Sequence, residues 1–346
     1  MGGLVSSRSP VARRTQSPRV DSSWHEAIAG IDLTIGDAMR LVDRAGIALV
    51  LDGDGRLAGT VGDSEIRRAL LTGAPRHVSA FPFMNTNPAT ATPMPVIDAD
   101  RRVVGLRAGA RPAVADRPVV LMAGGRGARL GPLTAQCPKP LLRVGGRPLL
   151  EIAIDRLVAQ GFRRLVLCVG YRAAMIERHF GDGRRFGVEI TYVRDDGTLG
   201  TAGPLALLDE RPASSFIVMN ADLMTAAPID RLLAFHDESG ADATMAVCEA
   251  EIENPYGVVQ LAGTRVAAVQ EKPVQRCFVN AGIYAIDPSV MEVIARGVRR
   301  DMPDVLQEVI AGGGEVGAFP LHERWIDIGS HRDFEHAAAR FDDSVS

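Results

Sequence analysis

The sequence lacks most of the features that mark membrane, secreted or zinc-binding proteins. No apolar run approaches the roughly 18 residues that a membrane-spanning helix needs, which excludes a transmembrane protein. The chain has only four cysteines, and no two of them have the spacing of zinc ligands. We therefore expect free thiols in a reducing, cytoplasmic compartment.

An excess of charge of either sign is also absent. The 39 lysines and arginines against 42 aspartates and glutamates leave a formal charge of −3. Four arginines and no acid fall within the first twenty residues, so we interpret residues 1–23 as a disordered tail and not as a secretory signal. The rest of the chain then has 35 basic and 42 acidic residues, a net −7, which argues against nonspecific nucleic-acid binding.

Lysine is almost missing. Only Lys139 and Lys272 are lysines among the 39 basic residues, and each directly precedes a proline. An arginine-rich proteome with two chance lysines would give this composition. The alternative is that a compact ammonium is required at these two positions, where a planar guanidinium would not fit. We favour the second interpretation because the surrounding motifs agree with it.

Residues 24–110 contain a helix-strand-strand-helix pattern and a partial second copy. This pattern resembles a CBS module, a small domain that works in pairs and often binds adenine nucleotides. The second copy lacks its first helix, and Gly62 and Glu65 stand where CBS modules carry a hydroxyl and an acid that contact ribose. We therefore expect a small α+β, degenerate CBS-like pair with a structural role, through which a homodimer would form. An adenine-nucleotide sensor is the alternative.

After a linker at residues 111–117, strands and helices alternate through residues 118–346. The expected strands are Val119–Met122, Leu165–Val169, Val188–Val193 and Phe216–Met219, and the expected helices are Leu149–Gln160, one from Arg172 and one after Thr201. Such alternation predicts an α/β domain, a Rossmann-like and mainly parallel sheet with helices on both faces.

A glycine-rich turn, Ala123–Leu130, follows the first of these strands. In open α/β folds this is where backbone N–H groups approach a phosphate. The dinucleotide pattern fails because Leu130 stands at its last glycine, and the Walker pattern fails because no Gly-Lys-Ser/Thr is present. A merely structural turn would not explain the segment that comes next.

Four short motifs succeed one another from residue 124 to residue 151: G-G-x-G-x-R-L, P-L-T, P-K-P-L and G-x-P-L-L-E. In this order they resemble the opening of the sugar-1-phosphate nucleotidyltransferases, which join a sugar-1-phosphate to a nucleoside triphosphate and release pyrophosphate. Further motifs of that family follow, at residues 199–203, 216–222, 254–258, 271–273, 280–284 and 325–329. The resemblance covers about residues 118–340.

The resemblance implies a role for each matching residue. Arg129, Lys139 and Asp222 would be catalytic, and Asp222 and Asp327 would together hold Mg²⁺. The nucleotide would be bound by Ala123, Gly124, Gly125, Gly127, Arg129, Lys139, Gly200 and Thr201. The sugar phosphate would be bound by Tyr256, Gly257, Glu271, Lys272 and Asn280.

Ordinary structural roles are the alternatives for several of these residues. Arg129 would be a solvated loop cation, Asp222 would cap a turn, and Asp327 would pair with Arg324. Thr201 and Tyr256 would simply pack. Asp222 and Asp327 are 105 residues apart, so their spacing alone does not show that they meet.

A CBS-like pair ahead of this domain resembles bacterial guanylyltransferases that act on mannose-1-phosphate or amino-sugar phosphates. This resemblance implies GTP as the nucleotide and mannose-1-phosphate or a related sugar phosphate as the acceptor. Thymidylyl or uridylyl transfer to glucose-1-phosphate is the alternative, and a non-catalytic regulatory protein that kept the fold is the alternative from another class.

Overall fold

A computed structural model describes residues 20–21, 23–91, 93–107, 114–195 and 198–340. The chain divides into two compact units, Met1–Arg111 and Pro112–Ser346. No helix in the described ranges combines the length and the apolar character that crossing a bilayer would demand.

The first unit contains two small sheets and two helices. Its elements are β1 (Val20–Asp21), β2 (Ile28–Gly30), α1 (Ile35–Ala45), β3 (Ala48–Leu51), β4 (Leu57–Val61), α2 (Asp63–Leu71), β5 (Met94–Ile97) and β6 (Val103–Arg107). One sheet has the order β2-β3-β4 and the other β1-β6-β5. Thr34 caps α1 by accepting a hydrogen bond from the N–H of Asp37, and Gly46 ends the helix in a left-handed conformation.

The first unit departs from the sequence expectation at its beginning. Residues 1–19 and 22 of the expected tail lie outside the described residues, but Val20–Asp21 pairs antiparallel with β6. Regular structure therefore starts before residue 24, because the edge of β6 offers backbone groups that a preceding segment can pair. Where the second copy lacks a helix, the chain makes only short turns such as Pro88–Thr90. The CBS-like assignment and its role in dimerisation stay predictions.

The second unit is built on a seven-stranded sheet. Its elements are β7 (Pro118–Ala123), α3 (Pro132–Ala135), β8 (Arg143–Val144), β9 (Arg147–Pro148), α4 (Leu149–Ala159), β10 (Arg164–Val169), α5 (Ala173–Phe180), β11 (Glu189–Arg194), β12 (Phe216–Asn220), β13 (Leu223–Thr225), α6 (Ile229–Ser239), β14 (Ala243–Glu253), β15 (Val258–Ala262), β16 (Arg265–Gln270), β17 (Val274–Ile286), α7 (Met302–Ala311), β18 (Val316–Leu321), β19 (Trp325–Asp327) and α8 (His331–Arg340).

The strand order of this sheet is β11-β10-β7-β12-β17-β14-β18. Neighbouring strands are parallel except where β17 pairs with β12 and with β14. The predicted α/β class with a mainly parallel sheet is therefore confirmed. β7 lies inside the sheet, so the glycine-rich turn that follows it opens at the sheet's carboxyl edge, where such folds bind ligands.

Two sequence expectations for this unit need correction. The segment after Thr201 forms only a short 3-10 turn, Gly203–Leu207. Pro212 follows closely and disfavours a helical conformation of the residue before it, which leaves little room for an α-helix. The linker expected at 111–117 belongs to the folded unit from Val114 onward. Val114 is buried in the core, and Arg117 donates a hydrogen bond to the backbone oxygen of Ser215.

Leu121 in β7 tests how much the central strand contributes to stability. Its side chain is fully buried in the core of the second unit. We expect Leu121→Ala to lower the free energy of unfolding by about 2–5 kcal/mol, because it removes apolar contacts and leaves a cavity. Urea denaturation measures this loss. The half-exposed Ile310 of α7 is the control, and equal losses in Ile310→Ala and Leu121→Ala would contradict the assignment of the core.

Candidate active site

A cavity of about 430 Å³ opens at the carboxyl ends of β7 and its neighbours. The glycine-rich turn and the residues that follow β12 contribute to its wall. Among the residues predicted for the nucleotide and metal sites, the cavity wall includes Ala123, Gly124, Gly125, Gly127, Arg129, Lys139, Gly200, Thr201, Asp222 and Asp327. All ten therefore lie around one cavity, although they are distributed over more than 200 residues of sequence.

The glycine-rich turn is shaped by close packing at Gly127. Gly127 has a φ of 62°, a left-handed conformation that glycine adopts without steric cost. A Cβ at this position would lie 3.0 Å from the Thr134 methyl group and 3.3 Å from the Lys139 Cβ. The Thr134 hydroxyl donates a hydrogen bond to the backbone oxygen of Gly127 at 3.0 Å. The turn is thereby fixed against the segment that carries Lys139.

Lys139 is a buried cation. The residue is 7% exposed, and its ammonium forms an ion pair with the Asp222 carboxylate. Burying an ammonium is costly unless it is paired, so the contact with Asp222 is what makes this position tolerable. Arg129 differs, because it is exposed. Its guanidinium packs close to Gly329, two residues after Asp327: a Cβ on Gly329 would lie 3.3 Å from Arg129 Nη1.

Asp222 and Asp327 meet because two short strands pair. β13 and β19 are antiparallel, with Leu223 opposite Asp327, and the backbone N–H of Ile328 donates to the Asp222 carbonyl at 3.2 Å. Burial raises the pKa of Asp327 above its ordinary value, and the nearby Asp222 carboxylate raises it further. The charges of Lys139 and Arg129 act in the opposite direction.

The two carboxylates fit a divalent cation. One oxygen of each, Asp222 Oδ1 and Asp327 Oδ1, is buried and has no hydrogen-bond partner among the described residues. Unsatisfied buried oxygens of two adjacent acids are costly in isolation, and oxygen ligands of this kind suit a hard cation. The alternative pairing of Asp327 with Arg324 is not among the ion pairs of the described residues.

A second cavity of about 350 Å³ adjoins the first. Thr201, Asn220, Asp301 and Asp327 line both cavities. Asn280 lines the second cavity, where its amide donates to the Tyr284 hydroxyl at 2.7 Å. This is the one predicted sugar-phosphate residue among the described residues that line it.

The other four predicted sugar-phosphate residues lie on an exposed arm. The arm comprises the outer halves of β14 and β17, the hairpin β15–β16 and the two connections between them, and the four residues lie in these connections. Tyr256 is 76% exposed. Gly257 lies against Glu271, since a Cβ on Gly257 would be 2.9 Å from Glu271 Oε2. Glu271 and Lys272 are exposed as well, and none of the four is among the described residues that line either cavity. Their role stays a prediction.

The four cysteines are free thiols. Cys168 lines the first cavity, but burial, with a smaller effect of the Asp195 carboxylate, raises the pKa of its thiol far above the ordinary value. Burial also raises the pKa of Cys248 to about 12. Both thiols are therefore protonated at neutral pH, which is inconsistent with nucleophilic catalysis.

Sequence reasoning missed three charged residues of the first cavity: Asp195, Arg299 and Asp301. Asp195 directly follows β11, and its N–H donates to the Val169 carbonyl at 2.9 Å. The sequence did carry one signal for Asp195: it is an acid directly after a predicted strand, and ligands bind at the carboxyl ends of such strands. Arg299 and Asp301 had none, because they precede an ordinary helix far along the chain.

Comparisons with known proteins identify the family. The family profile described as Nucleotidyl transferase matches residues 118–344. A mannose-1-phosphate guanyltransferase of Yarrowia lipolytica is 34% identical over 66% of the chain and 64% of its own length. The mannose-1-phosphate guanylyltransferase catalytic subunit beta of Danio rerio is 34% identical over 62% of each chain. The matches thus span less than two thirds of these relatives.

Solved structures share the fold. A Bacillus anthracis protein described as a glucose-1-phosphate thymidylyltransferase, in complex with sucrose, is similar with a TM-score of 0.53 and 23% identity, over 64% of this chain and 94% of its own. HddC from Yersinia pseudotuberculosis, complexed with GMP-PN, gives a TM-score of 0.51 and 22% identity, over 65% and 99%. With its motifs, its sheet and its cavity as described, the chain belongs to the nucleotidyl transferase family.

Proposed function

We propose that the chain transfers a guanylyl group from GTP to mannose-1-phosphate, or to a related hexose or amino-sugar phosphate, and releases pyrophosphate. The observation that carries the proposal is the first cavity, whose wall brings the glycine-rich turn together with the cations of Arg129 and Lys139 and the acids Asp222 and Asp327. The named relatives are mannose-1-phosphate guanylyltransferases, which supports the choice of sugar and base.

The residues of the cavity suit a reaction between two anions. In nucleotidyl transfer, a phosphate oxygen of the sugar phosphate attacks the α-phosphorus in line while pyrophosphate departs. Repulsion between the two substrates is the main obstacle, so positioning and charge neutralisation contribute most. Arg129 would hold the outer phosphates, and the Lys139 ammonium would lie near the reacting phosphorus. The attacking oxygen is already ionised and needs no general base.

Asp222 and Asp327 would hold Mg²⁺. When bound, the ion would offset the negative charge that develops between the two phosphates. Lys139 pairs with Asp222 in the structure, and both residues line the first cavity.

Asp195 supports guanine over the other bases. Its carboxylate lines the first cavity at the start of the glycine-rich turn, where a Cβ on Gly124 would lie 3.5 Å from Asp195 Oδ1. A nucleoside triphosphate whose phosphates lie near Arg129 and Lys139, at the far end of this turn, would place its base toward Asp195. A carboxylate only accepts hydrogen bonds, and guanine offers two adjacent donors, N1–H and N2–H, on one edge. Thymine and uracil present one donor between two carbonyls.

The direct test is a panel of five nucleoside triphosphates with several sugar-1-phosphates, with pyrophosphate release as the readout. We expect GTP with mannose-1-phosphate or a close relative to be turned over fastest. A clear preference for dTTP or UTP with glucose-1-phosphate would support the alternative base and sugar, and no release with any pair would support a non-catalytic protein.

Asp195→Asn should relax the choice of base. The amide replaces one acceptor by a donor, so the paired contact with guanine is lost, and we expect the ratio of kcat/KM for GTP to that for UTP to fall about tenfold to 100-fold. The matched control is Glu189→Gln at the other end of β11, where the side chain is exposed. An unchanged ratio in Asp195→Asn would contradict the proposed role of this carboxylate.

A further inference from the structure

The loop 199–203 is joined to the segment 298–302 by backbone hydrogen bonds. The N–H groups of Ala202 and Gly203 donate to the Arg300 carbonyl at 2.9 and 3.2 Å, and the Arg300 N–H donates to the Leu199 carbonyl at 2.9 Å. Gly200 makes this approach possible, since a Cβ there would lie 2.4 Å from the Arg300 oxygen. The backbones of the loop and the segment are therefore held together at this point.

Asp301 and Thr201 exchange hydrogen bonds across this junction. One carboxylate oxygen of Asp301, Oδ1, accepts from the Thr201 N–H at 3.0 Å and lies 3.5 Å from the Thr201 hydroxyl oxygen. In return the Thr201 hydroxyl accepts from the N–H of Met302, the first residue of α7, at 2.9 Å. The hydroxyl thus satisfies a backbone donor at the start of the helix, and the carboxylate satisfies one in the loop.

This exchange is not what an ordinary helix cap does. Asp301 stands at the N-cap of α7, where an aspartate usually accepts from the helix's own N–H groups. Among the described residues its side chain makes no such capping bond. The carboxylate instead serves the loop, and its other oxygen, Oδ2, accepts from Arg299 Nη2 at 2.9 Å.

The Asp301 carboxylate stays charged at this position. Burial raises the pKa of Asp301, but the hydrogen bonds from Thr201 and Arg299 lower it by more, and the pKa lies below its ordinary value. Arg299 and Asp301 both face the first cavity, while Asp301 and Thr201 also face the second.

We propose that Asp301 is a positioning residue for both substrates. It fixes Thr201 and its loop at the boundary between the two cavities through one oxygen, and it holds Arg299 at the wall of the first cavity through the other. This inference rests on the proposed function, because it takes the first cavity to bind the nucleoside triphosphate and the second to bind the sugar phosphate.

Binding measured without turnover tests this role. The probe is a guanosine triphosphate analogue with a methylene bridge between the α- and β-phosphorus, which cannot release pyrophosphate. It is titrated calorimetrically into the full chain with MgCl₂, and mannose-1-phosphate is then titrated into the saturated protein. The variants are Asp301→Ala, Asp301→Asn and a matched control, Asp304→Ala, an exposed acid in the first turn of the same helix.

We expect Asp301→Ala to weaken the binding of both substrates at least about tenfold, the effect of losing charge-assisted hydrogen bonds. Asp301→Asn retains an acceptor for the Thr201 N–H but turns an amide NH₂ toward Arg299, so it should restore the part of both affinities that depends on the loop and not the part that depends on Arg299. Asp304→Ala should bind like the wild type. A thermal unfolding curve of each variant accompanies the titrations. Equal affinities of Asp301→Ala and Asp304→Ala would overturn the proposal, as would a joint loss of affinity and thermal stability that Asn does not rescue.

Failure of the proposed function would look different. A wild-type chain that prefers the uridine or thymidine analogue would refute the choice of guanine, and the comparison of Asp301→Ala with Asp304→Ala would then be made with the preferred analogue. A wild-type chain that binds no nucleoside triphosphate analogue would overturn both proposals together.

Discussion

Lys139→Arg is expected to lower kcat about 100-fold, although the positive charge is kept. The aliphatic part of Lys139 packs against the glycine-rich turn, where a Cβ on Gly127 would lie 3.6 Å from the Lys139 Cδ. The residue is also nearly buried, and its ammonium ends on Asp222. A guanidinium is longer, branched and planar, so it would displace the turn or grip Asp222 through two hydrogen bonds. In other active sites, loss of one well-placed hydrogen-bond donor lowers kcat by a factor of this size.

Steady-state pyrophosphate release under saturating substrates measures this change. The converse exchange, Arg143→Lys, is the control, because Arg143 is exposed and donates to the Gly146 carbonyl outside the cavity. We expect it to retain wild-type turnover. If Lys139→Arg also retained wild-type turnover, a compact ammonium would not be needed at this position, and the scarcity of lysine would reflect composition alone.

Asp222→Asn should have the larger effect, a loss of about 10³-fold in kcat. The amide keeps the shape of the side chain but removes the charge that the Lys139 ammonium and a divalent cation would share. The chain should still fold, because the β13–β19 pairing is untouched, but with reduced stability, because the buried Lys139 ammonium loses its charged partner. Two measurements check this expectation: pyrophosphate release over a range of MgCl₂ concentrations, and calorimetric titration of the protein with MgCl₂ alone.

The control for this experiment is Asp209→Asn, an exposed acid that is not among the residues lining either cavity. It should keep the wild-type activity and Mg²⁺ response. A dependence on Mg²⁺ that was the same in Asp222→Asn as in the wild type would remove Asp222 from the metal site.

The sequence was informative wherever chemistry is encoded in a short run of residues. The glycine-rich turn, Lys139 and Asp222 could be identified because each stands in a local pattern with few interpretations. Strands such as β7 and β10 could be identified because strands covered on both faces are continuous apolar runs. The meeting of Asp222 with Asp327 could not be derived from spacing, since it depends on a pairing of two three-residue strands.

The residues that were missed stand in no distinctive local motif. Asp301 precedes a helix, which is a common place for aspartate, and only the folded chain shows that its carboxylate faces a distant loop. Asp195 is one of several polar residues after β11, and the base end of the cavity has no short motif of its own. The helix expected after Thr201 was wrong because the segment ends in a 3-10 turn at Leu207, and Pro212 shortly afterwards disfavours a helical residue before it.

The pairing of β13 with β19 has a consequence for insertions and deletions. Alternate residues of a strand point to opposite faces, so a slip of β19 by one residue against β13 would turn the Asp327 side chain away from Asp222. A deletion or insertion between β18 and β19 would separate the two acids wherever it shifted this pairing, whereas a length change that the connection absorbed would leave them together. The register of the two short strands is therefore what keeps the two acids together.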